Sequence, residues 1–458
     1  MKDLNSVFWP RSIAIVGVPR GFEPGRVFLR GLLDQGFSGE IFPVNPKADS
    51  IDGLRVYPSL KSISAEIDQA IIVVPAQAVM PVLEECGQKK VKAVVIYTSG
   101  FAETGGEEGR RREEEIQQIA RKMDFHVIGP NCMGVYHPKN HMAFFPGMPR
   151  EMGKVGMISQ SGSLTILLSR LAEPRGIRFS KMISSGNECD LNSSDFLEFL
   201  GDDPETEVIG AYLEGLKNGP AFLRALREAC RNKPVIIWKA GRTPGGAKAA
   251  SSHTGSLAGS TMAWEALKGQ GAVLLAKNPE EFMDLLSVCY YLPKKLGKRL
   301  AILSGPGGPA VSATDACEEY GLEVAQLQAK TRAELKAILP KTGTSTDNPV
   351  DLGLASVFEV DLYARAAACV GLDPAVDALI FQGRGVTPEL DMKYATLLVQ
   401  AQQKIRKPFM VVSLGGMYLE EQSVNALVKA GIPVYPSAER AIWAYANLYR
   451  YGEKSFHG

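Results

Sequence analysis

The chain has 458 residues, a formal net charge of +1 and a sequence pI near 7.5. Because its acidic and basic residues are interspersed, it offers no broad basic face, so neither nucleic acid nor an acidic membrane is predicted as a partner. At roughly 150 residues per domain, about three domains are expected.

The sequence also indicates where the protein is located. The start shows no apolar stretch followed by a small-residue cleavage site, and no later run approaches the roughly 18 apolar residues of a membrane span. Seven cysteines form no CxxC pair and no zinc spacing, which is typical of reduced thiols. We therefore expect a soluble cytoplasmic protein.

Short apolar strands alternate with Gly, Pro or Ser turns and helix-like stretches along the chain. The first set is SIAIVG, EIFPVNP, AIIVVP, AVVIYTSG and HVIGPN, with helix-like segments such as 77–89 between most of them. The second set is KVGMISQSG, RFSKMISSG, VIGAYLEG and PVIIWKAG, and the third is RLAILSGPGG, ALIFQG, PFMVVSLGG and IPVYP. This alternation predicts three α/β units with parallel, doubly wound sheets, and residues 290–299 are predicted as a linker before the third.

The turns after the first strands are candidate ligand loops, since ligands bind at the carboxyl ends of parallel strands. The turn at 17–25, GVPRGFEPG, is glycine-rich but lacks the GxGxxG spacing of dinucleotide sites. After the second strand, a nicotinamide site would place an acidic residue on the ribose, whereas Lys47 suits an extra phosphate. Taken alone, each such turn is equally consistent with a tight turn that binds nothing.

Two later turns open helices with small residues. One is Ser161-Gly162-Ser163 and the other contains Gly307 and Gly308. Helix starts present unpaired backbone N–H groups and a partial positive charge, which together favour an anion such as phosphate. The alternative is a helix that is capped for stability alone.

His253 lies among small residues in KAASSHTGSLAGS, residues 248–260. Its sequence neighbours offer no apolar enclosure, and no Cys, His or Asp stands at metal-ligand spacing, so no metal site is predicted. A surface histidine without a role remains an alternative. Since imidazole is a competent nucleophile near neutral pH, the two anion-binding helix starts favour His253 as a phosphoryl carrier.

A family resemblance rests on these motifs. In order, PVNPK, SGFAETGG, GPNCMGV, SQSGS, YLEG, KPVIIWKAGR, SSHTGSLAGS and GPGGPAV resemble the α subunit of NDP-forming acyl-CoA synthetases, the superfamily of succinyl-CoA synthetase and ADP-forming acetyl-CoA synthetase. The resemblance implies an N-terminal Rossmann-like CoA-binding domain followed by two flavodoxin-like α/β domains. We place these domains at 1–135, 136–292 and 297–458.

The resemblance also implies the reaction and its residues. The family interconverts acyl-CoA, NDP and phosphate with carboxylate, CoA and NTP through an acyl phosphate and a phosphohistidine, which here matches His253. Glu214 matches the carboxylate that holds this histidine, although the residues alone favour a solvated glutamate at a helix start. The matching phosphate residues are Ser161, Gly162, Ser163, Gly307 and Gly308. The turns that resemble CoA-contacting loops contain Gly17, Arg20, Lys47, Pro75 and Asn131. Cys132 lies where the family brings the CoA thiol near phosphate, but a small buried apolar position is the favoured role for it.

Some features depart from the family. Gly17-Val18-Pro19 replaces the usual GAS or GxS, which leaves the placement of CoA open. SSGNECD, residues 184–190, differs from SLGNxAD, which leaves the choice of acyl group open.

No stretch resembles an ATP-grasp domain or a Walker loop, so we expect a hetero-oligomer whose separate ATP-grasp β subunit holds magnesium and nucleotide. Besides CoA and nucleotide, the expected substrate is a small carboxylic acid or its acyl-CoA. Two alternatives are a non-catalytic CoA-binding regulatory or scaffold protein and a nicotinamide-dependent oxidoreductase.

Overall fold

The computed structural model describes residues 3–21, 23–248, 264, 273–305, 307–413 and 421–455, without the side chains of residues 421, 454 and 455. The chain forms two compact units. One comprises Met1–Arg170 and Arg178–Lys277, and the other comprises Leu171–Ile177 and Asn278–Gly458. In the described ranges, no helix combines the length and apolar character needed to cross a membrane.

The first sheet is parallel and has the order β2-β1-β5-β6-β7. Its central strands are short runs of Val, Ile and Ala whose residues are all buried, as expected of parallel strands covered on both faces. The strands of this region, with the small β3–β4 hairpin, are β1 Ser12–Val16, β2 Glu40–Val44, β3 Ser50–Ile51, β4 Leu54–Arg55, β5 Gln69–Ile72, β6 Ala93–Ile96 and β7 His126–Ile128.

The second sheet, in the same unit, has the order β13-β12-β11-β9-β10-β8. All neighbours are parallel except the edge strand β8, which runs antiparallel to β10. The strands are β8 Gly134–Tyr136, β9 Val155–Ser159, β10 Phe179–Ser184, β11 Val208–Leu213, β12 Val235–Lys239 and β13 Leu274–Ala276. The carboxyl ends of β9, β11 and β12 therefore lie side by side.

The third sheet belongs to the second unit and has the order β15-β14-β17-β18-β19, with β16 paired to the end of β14. All its pairs are parallel. The strands are β14 Arg299–Ser304, β15 Glu323–Val324, β16 Val350–Asp351, β17 Ala378–Gln382, β18 Phe409–Val412 and β19 Val434–Tyr435.

Helices connect most of the parallel strands, because a crossover between parallel strands needs a long connection. Several begin with an Asn or Thr cap followed by proline, such as the cap of Asn218, whose side chain accepts the Ala221 N–H at 3.0 Å. The α-helices are α1 Asn5–Phe8, α2 Arg26–Gln35, α3 Val79–Gln88, α4 Glu107–Met123, α5 Gly162–Ala172, α6 Ser193–Asp202, α7 Gly219–Asn232, α8 Pro279–Tyr291, α9 Gly307–Glu319, α10 Ala329–Ile338, α11 Asp361–Gly371, α12 Pro388–Lys404, α13 Glu421–Lys429 and α14 Ala438–Ser455. The 3-10 helices are Leu60–Ser62, Ala76–Ala78, Ala102–Thr104, Pro138–Asn140, Glu173–Arg175 and Leu354–Val357.

The predicted fold class is confirmed: the described chain is α/β, and its three large sheets are parallel apart from the edge strand β8. The helix-like segment 77–89 is a short 3-10 helix followed by α3. The linker prediction is wrong at Tyr290 and Tyr291, because these residues complete α8, which the Asn278 cap starts. The three domain boundaries stay predictions.

Candidate active site

A cavity of about 620 Å³ lies at the carboxyl ends of strands from the first two sheets. It is bordered by the turns that follow β6, β7 and β9, where ligands of parallel sheets bind. Its polar lining includes Asn131, Gln160, Ser161, Gly162 and Ser163. Its apolar lining includes Val27, Tyr97, Met133, Phe145 and Ile166. A mixed lining of this kind suits a ligand with both an apolar body and a charged end.

The turn at Ser161 forms one wall of the cavity and starts α5. Ser159 Oγ accepts the Ser161 N–H at 3.2 Å and donates to the Ser161 carbonyl at 2.9 Å, while Ser161 Oγ accepts the Leu164 N–H at 3.4 Å. A Cβ at Gly162 would lie 2.9 Å from Met133 Cγ, so a larger residue there would require the Met133 side chain to move. The turn is thus fixed by its own hydroxyls, and the helix start that faces the cavity suits an anion.

Glu214 follows β11 directly and is only 5% exposed. The alternative of a solvated glutamate at a helix start is therefore wrong, because the next helix, α7, begins at Gly219. Tyr212 Oη donates to Glu214 Oε1 at 3.3 Å. Burial, and then the nearby Glu214 carboxylate, raise the pKa of Tyr212, so this side chain stays a phenol and a donor.

Gln160 connects the cavity to Glu214. The Gln160 Oε1 atom accepts the backbone N–H groups of Glu214 at 2.6 Å and Gly215 at 3.1 Å, and its Nε2 atom donates to the Gly215 carbonyl at 2.9 Å. Gln160 is itself 6% exposed and precedes Ser161. The predicted phosphate turn and the predicted histidine-binding carboxylate are therefore joined by one side-chain amide.

The predicted CoA residues follow strand ends of the first sheet. Gly17 has a φ of +94°, and a Cβ there would lie 2.7 Å from Val74 Cγ1, so this turn requires glycine. Lys47 is exposed, and its N–H donates to Asn45 Oδ1 at 2.8 Å. Arg20 and Pro75 are exposed too. These residues flank the carboxyl ends of β1, β2 and β5, whereas Asn131 lines the cavity.

Asn131 is held by the turn at 184–190. It has a φ of +58°, and its Nδ2 donates to Asn187 Oδ1 at 3.3 Å. Asn187 Nδ2 in turn donates to Glu103 at 2.5 Å and to Glu113 at 2.6 Å. The SGFAETGG and SSGNECD motifs therefore meet and fix one cavity wall.

Buried thiol and carboxyl groups lie beside these turns. Cys132 is 3% exposed, and burial raises its pKa to about 12, so it is a neutral thiol at physiological pH. Glu188 accepts hydrogen bonds from Ser185 at 2.8 Å and Ser193 at 2.5 Å, and burial raises its pKa. The burial of Cys132 agrees with the small buried apolar position expected for it.

The other predicted phosphate turn lies in the second unit. Gly307 and Gly308 begin α9 after β14. A Cβ at Gly307 would lie 2.7 Å from Asp351 Oδ2, and the other oxygen of that carboxylate accepts the Gly353 N–H at 2.8 Å. Because a carboxylate already faces this helix start, its field favours an anion less than the Ser161 turn does. His253 lies outside the described residues.

Comparison with known proteins identifies the family. The chain matches the CoA binding domain at 11–138, the succinyl-CoA ligase like flavodoxin domain at 152–289 and the Ligase-CoA domain at 300–456. Subunit alpha of acetate–CoA ligase [ADP-forming] II from Pyrococcus furiosus is 39% identical over 97% of both chains. The chain belongs to the NDP-forming acyl-CoA synthetases.

Other relatives of this synthetase chain agree. Acetate–CoA ligase [ADP-forming] I from Archaeoglobus fulgidus is 37% identical and covers 99% of this chain, which spans 64% of that protein. The structure of dinucleotide forming acetyl-coenzyme A synthetase 1 from Ca. Korarchaeum cryptofilum, in complex with phosphate and ADP, has a TM-score of 0.89 and 35% identity and covers 100% of this chain and 98% of that one. The resemblance to NDP-forming acyl-CoA synthetases and the order of domains are thus confirmed.

Sequence reasoning missed three residues that contact Glu214 or its main chain: Gln160, Tyr212 and Lys239, whose Nζ donates to the Glu214 carbonyl at 2.8 Å. Gln160 was present in the SQSGS motif but was not separated from the small residues around it. Tyr212 lies among apolar residues in β11, so the sequence pattern indicates a packing residue. Lys239 gave the clearest signal, since a lysine ends the otherwise apolar strand VIIWK.

Proposed function

We propose that this chain forms acyl phosphate from acyl-CoA and phosphate and then carries the phosphoryl group on His253 to a nucleoside diphosphate. The observation that carries this proposal is the linkage of the buried Glu214 to the cavity through Gln160. A carboxylate, a helix start and a ligand-sized cavity are the parts that a phosphohistidine reaction needs.

The proposed steps assign one role to each group. A phosphate held at Ser161, Gly162 and Ser163 attacks the thioester carbonyl carbon; the C–S bond breaks, and CoA leaves as a thiolate that takes up a proton. His253 then attacks phosphorus, the P–O bond to the acyl group breaks, and the carboxylate leaves. Glu214 accepts a hydrogen bond from one ring nitrogen, so the other nitrogen remains free to attack. Gly307 and Gly308 are assigned to the second helix start that holds phosphate.

Coenzyme A is the thiol substrate. We assign its contacts to Gly17, Arg20, Lys47, Pro75 and Asn131. The turn at Gly17, with its positive φ, supports this because it allows the backbone to approach a ligand closely. The exposed Lys47 supports it because its cation suits a phosphate group. The pantetheine arm would then run toward the cavity that Asn131 lines.

The last transfer needs a partner. The proposed partner is an ATP-grasp β subunit that holds magnesium and nucleotide, forming a cytoplasmic hetero-oligomer with this chain. Two observations support it: Pyrococcus furiosus relatives are named as alpha subunits, and the chain spans only 64% of the Archaeoglobus fulgidus relative. Phosphoryl transfer to a nucleotide requires a magnesium-binding cleft with cations on the phosphates.

The proposed acid substrate is a small carboxylic acid. Relatives of this chain are named for acetate, 4-hydroxybutyrate and trans-ferulate. These acids differ in size, and the cavity volume of about 620 Å³ lies in the range of pockets that hold small ligands.

A reconstitution experiment tests this division of labour. The purified chain is incubated with ATP or GTP and magnesium, with and without the β subunit, and phosphohistidine is measured by mass spectrometry. We expect phosphorylation by nucleotide only when the partner is present. Stoichiometric phosphorylation without the partner would contradict the subunit assignment.

A further inference from the structure

Lys239 is a buried cation at the edge of the proposed site. It is the last residue of β12 and pairs in register with Leu213, the residue before Glu214. Its side chain is 4% exposed, whereas the rest of the strand is Val, Ile and Trp. An apolar residue at this position would avoid the free-energy cost of removing an ammonium group from water. Packing alone therefore does not account for the lysine.

The hydrogen bonds of this ammonium go to the main chain of the Glu214 turn. Lys239 Nζ donates to the Glu214 carbonyl at 2.8 Å and also to the Ala240 carbonyl. With Gln160 bonded to the Glu214 N–H, the peptide groups on both sides of Glu214 are held. Small displacements of this residue are thereby prevented from either side.

The charge of Lys239 acts on the same residue. Among the described groups, Glu214 is the charged side chain that influences Lys239, and the Tyr212 phenol lies beside that carboxylate. Burial lowers the pKa of Lys239, and the Glu214 carboxylate opposes this effect. A phosphoryl group that arrives on a histidine at Glu214 adds negative charge to a poorly hydrated place, where a fixed cation is effective.

We propose that Lys239 is a positioning residue for phosphoryl transfer: its ammonium holds the Glu214 turn and compensates the negative charge that arrives with phosphorylated His253. This inference rests on the proposed phosphohistidine function. It predicts that transfer depends on the protonated form of Lys239. The dependence therefore has a defined sign, with activity present below the pKa of Lys239 and lost as pH rises through it.

The test follows phosphoenzyme formation by the full-length chain from acetyl-CoA and radiolabelled phosphate, without nucleotide. Lys239→Met should reduce the initial rate about 10- to 100-fold, the effect expected for losing a charged hydrogen bond. The wild-type rate should fall between neutral pH and 10.5, the ordinary pKa of lysine. Lys239→Arg should restore part of the rate and remove this alkaline decline, because guanidinium stays protonated.

Lys233→Met is the matched control. Lys233 also donates to two backbone carbonyls, of Leu200 at 2.8 Å and Asp203 at 2.6 Å, but it lies just before β12, beyond the strand end opposite to Lys239. This variant should lose stability and keep the wild-type pH profile.

The outcomes separate the two claims. If the wild-type chain forms no phosphohistidine with acetyl-CoA or with a panel of other acyl-CoA esters, the proposed function fails. If the wild type is phosphorylated and a folded Lys239→Met equals it in rate and pH profile, only the role of Lys239 fails. A wild-type rate that stays flat up to pH 10.5 overturns that role even when no variant folds.

Discussion

The side chain of Gln160 holds the main chain of Glu214, since the Oε1 atom of Gln160 accepts the Glu214 N–H at 2.6 Å. The same oxygen accepts the neighbouring Gly215 N–H at 3.1 Å. Two buried backbone donors therefore depend on one side chain, which also lines the cavity. The predicted phosphate turn at Ser161 and the main chain of Glu214 are therefore linked through this amide.

Gln160→Ala should damage both stability and phosphorylation. The variant leaves two buried N–H groups unpaired, which costs about 1–3 kcal/mol for such a group. We expect a lower midpoint of urea unfolding and a phosphoenzyme rate reduced about tenfold or more. Gln77→Ala serves as the control because Gln77 is exposed. Equal rates in the two variants would show that the Gln160 brace is not needed.

Glu214→Gln should separate folding from chemistry. The amide keeps the size of the side chain and still accepts from Tyr212, but it removes the negative charge that orients an imidazole ring. Phosphoenzyme formation should fall about 10- to 100-fold with little change in thermal stability. Glu228→Gln is the control, since Glu228 is exposed and pairs with Arg231 on the surface. Full activity in Glu214→Gln would argue against its assignment.

Lys47→Glu should weaken CoA binding selectively. Reversing an exposed charge near a phosphate replaces an attraction by a repulsion, and we expect about a tenfold weaker Kd at low salt. Isothermal titration with CoA and with NAD measures this, with Lys122→Glu as the control at another exposed lysine. Wild-type binding of NAD as tight as that of CoA would contradict the assignment of this domain.

Acid should destabilise the chain through Glu205. Although its burial acts in the opposite direction, hydrogen bonds from Lys139 and Lys181 lower the pKa of Glu205 to about 2. The folded pKa lies below the ordinary value of 4.5, so Glu205 contributes stability above pH 4.5 that is lost as pH falls through about 2. The Tm of Glu205→Gln should therefore decline less steeply across this range than that of wild type or Glu228→Gln. An equally steep decline of Tm in all three proteins would contradict the stabilising role of the Glu205 contacts with Lys139 and Lys181.

Local patterns predicted the parts of the site that depend on neighbours in sequence. The small residues around Ser161 indicate a helix start because their hydroxyls bond to the main chain of the same turn, and the apolar run before them identifies a buried strand. Glu214 could be recognised only by resemblance, because the sequence YLEG alone favours a solvated glutamate at a helix start.

The remaining contacts depend on register between distant strands. Lys239 reaches the Glu214 carbonyl because β12 lies beside β11 with Leu213 opposite Lys239, a pairing that no local pattern specifies. Likewise, Asp351 faces Gly307 only because β16 pairs with the end of β14. Such long-range neighbours decide the electrostatics of each turn, and they were visible only in the fold.

The most direct measurement is the location of the phosphoryl group after the full-length chain has been incubated with radiolabelled phosphate and an acyl-CoA panel that begins with acetyl-CoA. Peptide mass spectrometry at neutral or alkaline pH should place one acid-labile, base-stable phosphoryl group on His253, and His253→Ala should carry none. A wild-type chain that stays unlabelled with every acyl-CoA, or a His253→Ala chain labelled as fully as wild type, would contradict the account.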